Sequence, residues 1–179
     1  YEYYETQATG SLKFLSCLEG SLDKIIKKDE SLVLEFKSTF CHDLKTNEKN
    51  KNLQLSVMKS IAGFLNNQGG KLLIGISDNK KVTGLDFEIE KHHKDSDDKF
   101  LNDFKNKFKQ NIGLDKLPLV DWKIKELSDK KILVVDCEQS DEPVFIDNDF
   151  YVRSLPATDK LEGQEMINYI KNHFQDKNN

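Results

Sequence analysis

The chain has 179 residues, 37% of them hydrophobic and 32% charged, with a formal net charge of −4. This composition fits one folded domain with a real core and excludes both wholesale disorder and a protein that coats nucleic acid by charge alone. No apolar run reaches the roughly 18 residues of a membrane span, and no secretory leader opens the sequence, so a cytoplasmic protein without a membrane partner is expected.

Cys17, Cys41 and Cys137 are an odd set without CxxC spacing, which supports neither a disulfide framework nor a zinc site. Of the 27 basic residues, 26 are lysine and one is arginine, Arg153. Residues 51–85 hold five lysines against Asp78 alone, whereas the chain beyond is net acidic. The lysine bias, together with frequent asparagine, fits an AT-rich genome.

Residues 1–27 read as an N-terminal helical appendage, because Leu12, Leu15, Leu18, Leu22 and Ile25 recur at helical spacing. Residues 28–179 read as the main domain. Leu32 to Lys37 alternates as a strand, with Glu35 and Lys37 on one face and Leu34 and Phe36 on the other. Residues 41–52 are polar and read as a loop. Leu53 to Asn66 fits a helix stopped by Asn67-Gln68-Gly69-Gly70, followed by a buried strand from Lys71 to Ile76. A turn at Asp78–Lys81 and a short strand around Val82 come next. Lys91 to Asp98 reads as a polar loop, and Phe100 to Ile112 as a helix. Strands are expected at Val120–Leu127, Lys131–Cys137, Val144–Ile146 and Phe150–Val152, and a last helix from Glu162 to Phe174. The order predicts an α+β fold, with helices packed on a mixed, largely antiparallel sheet.

Four segments in order carry a family likeness. They are ESLVLEFK from Glu30 to Lys37, IAGFLNNQGG from Ile61 to Gly70, LIGISD from Leu73 to Asp78 with VTGL from Val82, and FYVR from Phe150 to Arg153 followed by Thr158. Together they resemble the Schlafen-type AlbA-like domain, commonly labelled DNA-binding. Members of the Schlafen family include endoribonucleases that cut tRNA and rRNA with three carboxylates. The resemblance places those carboxylates at Glu30, Glu35 and Asp78, with Lys37 beside the second. Leu155 stands where the family commonly has glycine, and animal Schlafens join two such lobes where this chain has one. A homodimer is therefore expected for gripping a folded RNA.

Carboxylate oxygens bind hard cations, so Mg²⁺ or Mn²⁺ at Glu30, Glu35 and Asp78 is the implied cofactor. Lys37 would contact the scissile phosphate. Arg153, with its bidentate fork, and Thr158 are candidate phosphate contacts, as are Lys59, Lys71, Lys80 and Lys81. For each there is a plainer alternative: a structural salt bridge for Arg153, a solvated face for the lysines and for the Glu35–Lys37 pair, and a backbone-bonding turn for Asp78. His42, His92 and His93 read as passive, and Trp122 as core. The leading expectation is a metal-dependent endoribonuclease domain cutting structured RNA such as tRNA, suited in a microbe to a toxin or antiviral effector. A non-catalytic DNA- or RNA-binding module of a larger regulatory protein, and an interaction domain, are the alternatives.

Overall fold

The computed structural model describes residues 21–154 and 157–174, so most of the expected N-terminal helix lies outside them. Within them, a single helical turn, α1 (Leu22–Ile25), starts after Ser21. β1 (Leu34–Lys37) follows, and then a small hairpin of β2 (His42–Asp43) and β3 (Glu48–Lys49) where the sequence suggests only loop. α2 (Lys51–Leu65) begins at Asn50, whose side chain accepts a bond from the Asn52 amide. β4 (Gly70–Ile74) runs parallel to β1. Gly69 makes the turn from α2 into β4 at φ +76°, and a Cβ there would meet the Cys137 carbonyl at 2.5 Å.

α3 (Asp86–His93) and α4 (Asp97–Asn111) come next, the latter capped by Ser96, with Asp97 and Asp98 at its positive end. The expected loop over 91–98 is thus mostly helix. After a 3₁₀ turn (Leu114–Leu119), β5 (Val120–Leu127) and β6 (Lys130–Cys137) form a hairpin. The main sheet has the order β1-β4-β6-β5, with β4–β6 and β6–β5 antiparallel. A second, antiparallel sheet joins β7 (Phe145–Ile146), β8 (Asp149–Arg153) and β9 (Thr158–Leu161), covered by α5 (Gly163–Phe174). The α+β architecture with a mixed, largely antiparallel sheet is as expected. No helix among the described residues is long and apolar enough to cross a membrane.

Alternation along the strands splits the main core in two. Leu72, Ile74, Leu133 and Val135 face α2 and α4, where Val57, Ile61, Phe100, Phe104 and Phe108 fill the layer. Trp122 packs against that core partly buried, its ring 5.1 Å from that of Phe104. Leu34, Phe36, Leu73, Ile132 and Val134 face the other way, and Ile25 of α1 packs onto them. α2 also touches the second sheet, which is why every residue from Ser60 to Leu65 is buried. Asn66, just past its end, is fully buried. Its amide donates to the carbonyls of Val144 and Tyr151 and accepts from the Val144 amide, tying the second sheet to the helix.

Candidate functional site

Glu35 and Lys37 stand two apart on β1 and so share a face; their side chains meet at 2.6 Å. This face lies beyond the apolar positions of the sheet and looks towards α2 and the start of β9. A cleft of about 350 Å³ opens there. Glu30, Glu35 and Lys37 line it from β1 and the segment before it, Asp78 from the turn after β4, and Ser56, Lys59 and Ser60 from α2, with Thr158 from β9. The structure therefore brings Glu30, Glu35, Asp78, Lys37, Lys59 and Thr158 to one opening. Ser56, Lys59 and Ser60 occupy one helix face by their spacing of three and four, a polar stripe in the apolar second half of the helix.

The carboxylates differ in freedom. Glu35 is 5% exposed, and both its oxygens are engaged: Oε1 by Lys37 and Oε2 by Arg153 at 2.5 Å. Glu30 Oε1 accepts from the Phe36 amide at 2.8 Å. Asp78 is exposed, in a turn closed by the Ser77 amide to the Lys81 carbonyl. Asp78 and Glu30 Oε2 have no protein partner among the described residues. Three carboxylates in one cleft suit a hard divalent cation in donor type. Their oxygens do not form a group as tight as the cluster of Cys41, His93 and Asp103 described below.

Arg153 stands behind the cleft wall. Its Nη1 donates to Glu35 and to Thr158 Oγ1 (2.9 Å), its Nη2 to the Ser31 carbonyl (2.8 Å), and its guanidinium lies 5.0 Å from the Phe64 ring centre. Burial pushes its pKa below the ordinary arginine value, opposed chiefly by the Glu35 charge. Gly63 makes room for this arrangement: a Cβ there would lie 3.1 Å from Thr158 Cγ2 and 3.4 Å from Arg153 Cδ.

The other lysines point elsewhere. Lys71 pairs in register with Leu34, so it lies on the opposite sheet face, where it meets Asp136 beside Lys123 and Lys125. Lys80 pairs with Asp29 at 2.5 Å, and Lys81 is exposed in the Asp78 turn without lining the cleft. Lys59 Nζ rests 4.9 Å from the Tyr151 ring centre.

A second cluster sits away from the cleft. Cys41, His93 and Asp103 bring ligand atoms within 4.8 Å of one another, the makings of a metal-binding triad. Nothing in their spacing of 52 and 10 residues signals this; only the packing of α3 and α4 against the chain after β1 assembles it. His42 and His92 meet at 3.0 Å nearby, where burial and the neighbouring His42 lower the pKa of His92.

A small mixed sheet, a second sheet hung on one helix and an acid- and lysine-lined cleft between them define a class of domain. The chain belongs to the Schlafen AlbA_2 family, whose model, "Schlafen, AlbA_2", matches residues 30–162. The family is associated with nucleic acids. Among solved structures, the DIP2311 protein from Corynebacterium diphtheriae is similar, with a TM-score of 0.56 at 15% identity over 79% of this chain and 27% of that one. This chain thus spans about a quarter of that protein, and the likeness is one of fold. The N-terminal domain of an ATP-dependent DNA helicase RecG-related protein from Nitrosomonas europaea matches at a TM-score of 0.47 and 21% identity, over 80% of this chain and 86% of that one. No curated protein matches the chain.

Proposed function

We propose that this chain is a metal-dependent endoribonuclease domain that cuts structured RNA such as tRNA. The observation that carries this reading is the meeting of Glu30, Glu35, Asp78 and Lys37 in one cleft. Asp78 and Glu30 Oε2 are the oxygens open to Mg²⁺ or Mn²⁺, and Glu35, held by Lys37 and Arg153, would join only through a further lone pair. Such an ion, when bound, would offset charge on a phosphate oxygen and activate water. Lys37, half-exposed beside Glu35, would hold the phosphate, and Lys59 and Thr158 would position the strand on the far wall. Arg153 serves by holding Glu35 in place rather than by touching RNA. One lobe offers one such cleft, so a homodimer would grip a folded RNA from two sides.

The test is cleavage of total tRNA by the purified chain with Mn²⁺. Cleavage is expected, and is expected to stop with EDTA and in Asp78→Ala. Activity that survives both would sink the carboxylate–metal reading. A second reading has its own support: Glu35 is already fully engaged by Lys37 and Arg153. In that case the cleft binds DNA or RNA without cutting, and salt-dependent affinity without cleavage would be the outcome.

A further inference from the structure

We propose a zinc site at Cys41, His93 and Asp103, separate from the carboxylate cleft. The three come from different places: the segment after β1, the last residue of α3 and the second turn of α4. Their ligand atoms all lie within 4.8 Å of one another. Cys41 is fully buried and His93 is 4% exposed. A thiol, an imidazole and a carboxylate suit Zn²⁺, whereas Mg²⁺ and Mn²⁺ take oxygen ligands.

Three further observations describe the surroundings of the site. His93 Nε2 faces Asp103 Oδ2 at 3.1 Å, and Nδ1, on the other side of the ring, is buried without a partner among the described residues, an arrangement that costs free energy. On Asp103, Lys49, Gln54 and His93 all converge on Oδ2, which leaves Oδ1 without a donor among the described residues. Glu88 accepts the amides of Phe40 and Cys41, at 3.1 and 2.7 Å, and so fixes the backbone that presents the sulfur. Thiolate and carboxylate together match the charge of Zn²⁺, and a water would complete four-coordination. Binding would release the thiol proton to solvent. The ion would clamp the chain leaving β1 to α3 and α4.

The alternative is a metal-free network in which the Lys49 ammonium supplies the positive charge. Co²⁺ titration of the reduced, chelator-treated full chain separates the two, because thiolate-to-cobalt charge transfer absorbs only when sulfur binds the ion. One Co²⁺ per chain with that absorption is expected, displaced by Zn²⁺. The band should vanish in Cys41→Ser and persist in Cys17→Ser, Cys137→Ser and Asp78→Asn. His93→Gln and Asp103→Asn should weaken binding at least about ten-fold. No band in the folded wild-type chain, or a band that survives Cys41→Ser, overturns the site. Should Cys41→Ser fail to fold, Lys49→Met decides, since it keeps every ligand and removes the competing cation. Tighter Co²⁺ binding there supports the site, and unchanged or weaker binding overturns it.

Discussion

Arg153 is the single arginine among 27 basic residues, and its position explains why lysine would not serve. It makes three bonds in different directions, to Glu35, Thr158 and the Ser31 carbonyl, while its plane lies over Phe64. A flexible ammonium cannot reproduce that fork. Removing one partner of a buried pair strands the other charge, so Arg153→Met should cost about 3–5 kcal/mol of stability. Urea unfolding measures this, and a loss below about 1 kcal/mol would show that the guanidinium is no brace. Arg153→Lys keeps the charge and gives up the fork, and should lose a large part of the same stability. The sequence singles out Arg153, and even offers a structural salt bridge as its role. It cannot supply the partner, because Glu35 lies 118 residues away on another sheet.

At the scale of elements, strongly patterned segments were readable and weakly patterned ones were not. The phenylalanine stripe of α4 announces a helix. α3 does not, because two of its inward positions are Glu88 and His93, polar residues buried by partners that only the fold provides. β9 escapes for a similar reason: it is an edge strand whose residues, Thr158 to Leu161, are all at least partly exposed. α5 docks partly through polar groups. Tyr169 donates to the Asn66 carbonyl at 2.9 Å, and burial pushes its pKa up to about 12. Its ordinary value is 10.0, so the protonated ring contributes stability that is whole below pH 10 and lost as pH rises through about 12. The urea midpoint should fall over that range, and fall less in Tyr169→Phe. Equal slopes for the two proteins would show that the hydroxyl plays no part. Asn66→Ala, which orphans the Val144 amide and two carbonyls, should cost at least about 2 kcal/mol in the same assay.

At the scale of the whole molecule, the proposed function requires an acidic protein to hold a polyanion. Lys71 and Lys80 pair with Asp136 and Asp29 away from the cleft, whereas Lys37, itself paired with Glu35, and Lys59 line it. If these two make the phosphate contacts, the slope of log K against log salt on a single strand should be about −1.4, and Lys59→Gln should reduce it by about 0.7. A much steeper slope would mean that other lysines, or a second chain, share the load. The fold class and most of the element order were legible from periodicity, though not the strand order, and the gathering of Glu30, Glu35, Asp78 and Lys37 from the family likeness. Their unequal freedom was not, since it depends on hydrogen bonds between residues far apart in the chain.

Gly63 has a meaning beyond making room. The opposite walls of the cleft are carried by separate sheets, and α2 packs against both the Thr158 wall and the main core. At residue 63 that helix has its minimum thickness. A carbon added there would press on Thr158, 3.1 Å away, from behind the cleft and without replacing any residue that lines it. The calibre of the opening, and hence whether it admits one strand or two, is thus a dimension that a single buried position can reset in small steps.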